Sequence, residues 1–397
     1  MMLRAPAVPL ITVDPYFSVW SNTDRLNDSD PVHWTGKPNT ICGVVEIDGK
    51  DYRFMGTGGG EPLTQTSLDI TTMTTTYTFE GAGIKLTVRF FTPLFMDDLK
   101  IMTRPVSYLE VKAEPVDGST HSLKLKLYAS EELCLDKRDQ YEVVTETLDI
   151  DGVSAVRIGS KDQPVLEKKG DDIRIDWGYF YMAAWCADVA GYKCTDTNMN
   201  FVMLEKPFED RVLAVFAYDD VYSINYFGDK LKSVWNHDGK TIETAIREAF
   251  GDYDELLEKA VEFDAKLWCD AVRAGGEKYA ELLQLAYRQV IAAHKAVVDK
   301  DGELLFISKE CFSNGCAATV DVSYPSIPMF LIYNPELVLG MMRPIFKYAA
   351  SDDWKFDFAP HDAGQYPIVT GQVYGSNAES YQMPVEECGN MLIMTAA

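Results

Sequence analysis

The chain is short of basic residues, histidine and long apolar runs, and each shortage removes a class of function. Its 37 Lys and Arg face 61 Asp and Glu, giving a formal charge of −24 and a pI near 4.6. Nucleic-acid backbones are held by clustered cations, so no nucleic-acid partner is expected, and the acidic balance reads as a solvated surface. No stretch approaches the roughly 18 apolar residues of a membrane span, and the opening Met1-Met-Leu-Arg-Ala-Pro lacks the apolar centre of a secretory signal. The eight cysteines (Cys42, Cys134, Cys186, Cys194, Cys269, Cys311, Cys316, Cys388) form no Cys-x-x-Cys pair, and none of the five histidines stands in a His-Glu-x-x-His array. No structural zinc, other metal or cofactor is therefore expected. A phosphate loop is missing too, since Val234 stands where Gly would have to precede Gly239-Lys240-Thr241. There is no Gly-x-Ser-x-Gly elbow and no Ser-x-x-Lys, which removes the commonest serine nucleophiles.

What is present is a chain with two hydrophobic periods. Up to about residue 235 apolar residues alternate: Thr71 to Phe79, Gly83 to Leu94, Leu109 to Ala113, Ser122 to Tyr128, Ile173 to Trp177, Tyr179 to Trp185 and Arg211 to Tyr218 read as strands. Turn signals at Asp48-Gly49, Asp117-Gly118 and Asp151-Gly152 separate them, as in an antiparallel sandwich. Beyond Gly239 the period becomes 3.6. Ile242, Ala245, Ile246 and Ala249, then Leu256, Leu257, Ala260 and Val261, mark a helical linker, and Tyr279 to His294 mark a further helix after Gly275-Gly276. Asn334 as N-cap, Pro335 at the first helical position and Glu336 in the first turn open another helix, Leu337 to Ala350, and a last helix starts near Pro384. The expected division is a β-sandwich over 1–238, a helical linker over 239–274 and helical hairpins over 275–397. The last helix is still apolar at Ala397, with no stop signal, so the chain is expected to be a fragment.

Three runs near the end place acids or an imidazole beside Gly and Pro: Cys311 to Pro325, Ala359 to Pro367 and Met383 to Met391. Such junctions are where rigid scaffolds present reactive groups. Hydrolysis by paired acids needs one carboxyl held protonated and another free to act as base or nucleophile. Asp321, Asp362, Glu386 and Glu387 are the candidates, with Tyr324, His361 and Asn390 as substrate-binding neighbours. On a helix opening at Pro384, Glu386 shares a face with Asn390, and Glu387 with Met391 and Met394. A carboxyl among methionines loses hydration and gains a raised pKa suited to donating a proton. Cys316 after Asn314-Gly315 would need His294 or His361 nearby to act as a nucleophile, and reads more simply as a buried thiol.

At these residues the sequence resembles the glutaminase A family. The likeness runs through Arg4-Ala-Pro-Ala-Val-Pro-Leu10, Asp14-Pro-Tyr-Phe-Ser-Val-Trp20, His33-Trp-Thr-Gly36 and Ile47-Asp-Gly-Lys50. It is most specific in Ser313-Asn-Gly315, Val320-Asp-Val-Ser-Tyr-Pro325, Tyr333-Asn-Pro-Glu336, His361-Asp362 and Met383-Pro-Val-Glu-Glu387, while Cys388 stands where a small residue such as Ser is expected. The resemblance implies an N-terminal β-domain, a C-terminal (α/α)6 barrel, an extracytoplasmic setting, and hydrolysis of L-glutamine to L-glutamate and ammonia. Twelve helices of about 11 residues with their connections need roughly 200 residues, so the barrel is expected to be incomplete here. Two rival readings are a glycoside hydrolase with paired carboxylates in such a barrel, and a noncatalytic carbohydrate-binding module. The first would use Tyr324, Trp354, Tyr366, Tyr374 and Tyr381 as stacking partners. Either enzyme takes a small-molecule substrate, glutamine or a glycoside.

Overall fold

In the computed structural model, which describes residues 4–374 and 378–397, the alternating runs form antiparallel sheets. One sheet has eight strands in the order Val143–Ile150, Val153–Ser160, Tyr179–Trp185, Arg211–Asp219, Val106–Pro115, Ile84–Phe91, Thr74–Gly81 and Thr64–Ile70. A second has six: Asp188–Lys193, Asn200–Phe208, Leu123–Ser130, Ile41–Ile47, Lys50–Met55 and the short edge Glu61–Pro62, which alone runs parallel to its neighbour. Alternation is strict where one face is buried, as in Ile84–Phe91 and Leu123–Ser130, so a one-residue slip of register would turn the core-facing set out to solvent. Val153–Ser160 and Tyr179–Trp185 of the first sheet pack on Asn200–Phe208 of the second, forming a sandwich whose core includes Phe180, Val156, Leu204 and Leu127. Ile173–Trp177 is not a strand. Its backbone and side chains are taken by other partners: the Arg174 N–H donates to Asp136 Oδ1 at 2.9 Å, and Trp177 Nε1 to the Asp220 carbonyl at 2.7 Å.

Six helices are present among the described residues: α1 (Leu99–Thr103), α2 (Ile242–Gly275), α3 (Glu277–Ala292), α4 (Val320–Tyr333), α5 (Pro335–Ala349) and α6 (Pro384–Ala396). Thr241 caps α2 by accepting from the Thr244 N–H, and Gly276, at φ 84°, ends it in a conformation that glycine adopts freely. The Ile242, Ala245, Ile246 and Ala249 stripe is buried, and α2 packs on α3 and on the strands Arg211–Asp219 and Val106–Pro115. Arg104, itself buried, fastens this contact with a 2.7 Å ion pair to Asp252. The Asn334 cap and Pro335 start of α5 form as the sequence implies, with Asn334 Oδ1 accepting from the Glu336 N–H. None of these helices is long and apolar enough to cross a membrane.

The helical half also contains β-structure that the periodicity misses. α3 stops at Ala292, and His294, read above as helical, begins a hairpin of His294–Val298 with Leu304–Ser308. The Val297-Val298 pair and the Asp299 to Gly302 turn favour strand pairing over helix continuation. This hairpin brings the buried Lys295 to Asp14 at 2.6 Å and Asp220 at 2.8 Å, joining the start of the chain, the sandwich end and the helical half. A further mixed sheet runs Asp229–Leu231, Ile224–Tyr226, Ile368–Val369, Gly364–Gln365 and Cys316–Ala317. Its last three strands flank the His361-Asp362 loop and lead into α4, and they are anchored to the sandwich end through the pairing of Ile368–Val369 with Ile224–Tyr226.

Candidate functional site

Three segments far apart in sequence meet beside α4 and α6. Cys316–Ala317 pairs with Gly364–Gln365, the Val320 N–H donates to the His361 carbonyl at 2.9 Å, and the Ala363 N–H to the Ala317 carbonyl at 3.0 Å. Gly364 lies against the backbone of Ile368, where an added Cβ would come within 2.3 Å of the Ile368 carbonyl oxygen. Any side chain there would pry the loop open. α6 packs on α4, and the Ala359 N–H points at Cys388 Sγ at 3.4 Å, tying the second loop to α6. Asp321 sits in the first turn of α4, His361 and Asp362 on the paired loop, and Glu387 in the first turn of α6.

His361 is the hub. Its Nδ1 is 3.0 Å from Asp362 Oδ2, while its Nε2 is 3.8 Å from Asp321 Oδ1 and 3.9 Å from Glu387 Oε1. Asp362 is itself fixed, since its Oδ1 accepts from the Gly364 N–H at 3.0 Å. Glu387 is 0% exposed, and neither of its oxygens receives a hydrogen bond; Asp321 Oδ1 is likewise without a donor. A charged carboxylate in that position is costly. Burial, reinforced by the Asp321 and Glu386 carboxylates, pushes Glu387 up to about 8 against the opposing pull of His361. For His361, burial disfavours the charge, but the Asp362 hydrogen bond and the fields of Asp362, Asp321 and Glu387 outweigh it and raise the imidazolium to about 9. The arrangement can hold a proton on a carboxyl and a positive charge on an imidazole at the same neutral pH.

Of the residues singled out in the sequence, Asp321, His361, Asp362 and Glu387 thus converge. Glu386 does not join them: it is exposed on α6, and its charge reaches Glu387 from the solvent side. Glu386 and Asn390, four residues apart, are neighbours on α6 as their spacing implies, but Asn390 is buried with Glu387, Met391 and Met394 while Glu386 lies at the exposed edge. Tyr324 lies one turn beyond Asp321 on α4 and is partly buried. Leu392 and Ile393 point outward, 71% and 50% exposed.

Two further residues border the site: Cys316, read above as a buried thiol, and Asp171, which the sequence reading did not flag. The buried Cys316 offers its sulfur within 4.8 Å of ligand atoms of His361 and Asp362, but burial and the Asp362 and Glu310 charges drive its thiol well above its ordinary value, which suits a thiol rather than an attacking thiolate. Asp171, from an irregular loop of the sandwich, accepts from the Gly315 N–H at 2.9 Å, from Gln365 Nε2 at 2.8 Å and from the Tyr374 hydroxyl. Lys309 donates to the Gly170 and Asp171 carbonyls beside it, and burial lowers its ammonium to about 8. The run Lys168-Lys169-Gly170-Asp171-Asp172 reads as an ordinary polar turn, so nothing local flags this reach into the helical half. One oxygen each of Asp321 and Glu387 and one nitrogen of His361 lie within 4.8 Å of one another, a spacing that could also admit a cation.

Comparison with known proteins finds three family models along the chain. Residues 276–397 match the glutaminase A six helical-hairpin domain, residues 73–206 and 197–270 match a domain of unknown function, DUF5127, and residues 1–63 match another, DUF4964. A glutaminase A of Aspergillus oryzae is 27% identical over 99% of this chain and 63% of its own length. A probable glutaminase of Arthroderma benhamiae is 23% identical over 99% of this chain and 52% of its own. The chain therefore spans between half and two thirds of these curated relatives. Among solved structures, a bacterial glucoamylase complexed with acarbose superposes with a TM-score of 0.47 at 12% identity, covering 94% of this chain and 53% of that one.

Proposed function

The chain belongs to the glutaminase A family, and from that premise we propose that it is a hydrolase in which Asp321, His361, Asp362 and Glu387 cleave the side-chain amide of L-glutamine to L-glutamate and ammonia. The observation that carries the reading is Glu387: fully buried, 3.9 Å from His361 Nε2, and held protonated up to about pH 8 beside that cationic ring. Water attacks the amide carbon while Asp321, the more exposed acid, takes its proton. Negative charge gathering on the amide oxygen is stabilised by the His361 imidazolium, whose orientation Asp362 fixes. The C–N bond then breaks as Glu387 gives its proton to the leaving nitrogen, and solvent returns the proton from Asp321 to Glu387. Asn390 and Tyr324, each one turn along from an acid, are the residues to which this reading assigns substrate binding.

The carboxylate spacing argues against inverting glycoside chemistry, while it is close to the roughly 5–5.5 Å of retaining glycosidases, so the choice between amide and glycoside rests on assay. The nearest oxygens of Asp321 and Glu387 lie within 4.8 Å, whereas inverting glycosidases hold their carboxyls about 6.5–9.5 Å apart to admit water. The test is ammonia release from L-glutamine by the full chain, with neutral oligosaccharides in parallel and with and without a chelator. Ammonia release that persists in chelator supports the proton-transfer reading. Loss in chelator with recovery on adding a divalent ion replaces it with metal-assisted hydrolysis, and reducing-sugar release without ammonia overturns the substrate.

A further inference from the structure

The outward face of the six-stranded sheet changes character along its length. At one end Lys126 pairs with Glu46 and Asp51, each at 2.8 Å, as on an ordinary solvated sheet. At the other end the outward positions of neighbouring strands carry Tyr128, Tyr192 and Phe201 in place of charge, and these line a cavity of about 400 Å³. That volume falls within the usual range of small-molecule sites, roughly 300–1,000 Å³. Tyr192 and Phe201 are directly opposed across the strands, with rings stacked at 5.7 Å and 18°, and Tyr192 is 39% exposed. The opposite face of the same strands is core, so no register constraint of the fold calls for aromatics here.

The walls of this cavity are built. Asp30 accepts from the Thr57 N–H at 2.8 Å and anchors the Gly58-Gly59-Gly60 loop on one side. A side chain at Gly59 would come within 3.2 Å of Val44 on the floor, so glycine keeps the cavity open. On the other side Glu132, 8% exposed, spends its Oε2 on the Thr40 and Ser130 hydroxyls at 2.7 and 3.0 Å; its Oε1 lies 3.7 Å from Arg138. The charges select the ligand. Three carboxylates against Arg138 disfavour an anion, and a cation finds them engaged: Asp51 by Lys126, Asp30 by Thr57, Glu132 by Thr40 and Ser130. A neutral ring with one apolar face to stack and a rim of hydroxyls fits what remains. We propose that this cavity binds a pyranose ring of a neutral oligosaccharide, independently of the chemistry at Glu387.

The experiment is isothermal titration of the full chain with neutral gluco-, manno- and galacto-configured pentasaccharides, alongside tetramethylammonium chloride and inorganic phosphate. At least one pentasaccharide should bind, and Tyr192→Ala should weaken it by about tenfold or more with the melting temperature unchanged. Arg138→Ala, on a side chain 56% exposed, should weaken it several-fold, and Glu387→Gln should leave the affinity as it was. No saccharide bound, binding that survives both cavity variants, binding lost with Glu387→Gln, or binding of tetramethylammonium or phosphate alone would each overturn the proposal.

Discussion

Replacing Glu387 by Gln preserves the shape of the side chain and removes its transferable proton. If that proton reaches the leaving nitrogen, kcat for glutamine should fall by roughly 10²–10⁴, the usual worth of a general acid, while KM stays within about threefold. The same substitution has a thermodynamic signature. Glu387 ionises near 4.5 when unfolded and near 8 in its buried setting. Between those pH values the unfolded chain has released the proton that the folded chain keeps, so stability falls as pH rises through the window and levels off above it. A shift of that size corresponds to about 5 kcal/mol at most. Gln cannot ionise, so the variant should gain stability relative to the parent between pH 4.5 and 8.5, and any fixed packing difference cancels in the comparison. Urea unfolding of both proteins at the two ends of that range, with ammonia release measured across it, gives both readouts. Near-normal turnover together with a relative gain below about 1 kcal/mol would show that Glu387 neither holds nor gives a proton.

Asp321→Asn should lower kcat by about tenfold or more, whereas Glu386→Gln, on the exposed side of α6, should stay within about twofold; the reverse order would move the base to Glu386. Asp362→Asn should let His361 fall from about 9 toward 6.5 in an NMR titration, with kcat falling along with it, and an unmoved titration would show that Asp362 does not hold the imidazolium. Lys295→Met leaves Asp14 and Asp220 buried without their cation and should cost about 3–5 kcal/mol in chemical denaturation; a loss below about 1 kcal/mol would refute a structural role for this triad. Val385, Leu392 and Ile393 are 89%, 71% and 50% exposed on one short helix, so concentration-dependent association is expected in sedimentation, and a monomer that binds no hydrophobic dye would contradict it.

Much of the fold was legible because it rests on local period. The alternation in Ile84–Phe91 and Leu123–Ser130 and the 3.6 period in Ile242–Gly275 each identify a face before any partner is known. The Asn334-Pro335-Glu336 start of α5 is a local hydrogen-bond and φ requirement, and it formed as read. Ile173–Trp177 and His294 were misread for the same physical reason. Their fates depend on partners distant in the chain, Asp136 and Asp220 in one case and the Leu304–Ser308 strand in the other.

The sequence by itself determined the chemical types available near the end of the chain: an Asp at a helix start, a His-Asp pair beside Gly and Pro, and a Glu-Glu pair beside methionines. Helical spacing further determined that Glu387 shares its side of α6 with Met391 and Met394. Only the tertiary structure decided that Asp321, His361 and Glu387 meet within 4 Å of a common ring, that Glu386 stays outside, and that Asp171 crosses from the sandwich to brace the loop at Gly315. The reason is electrostatic. A carboxyl's proton affinity follows from the water it loses and the charges placed beside it, and both are properties of packing between segments, which no local pattern encodes.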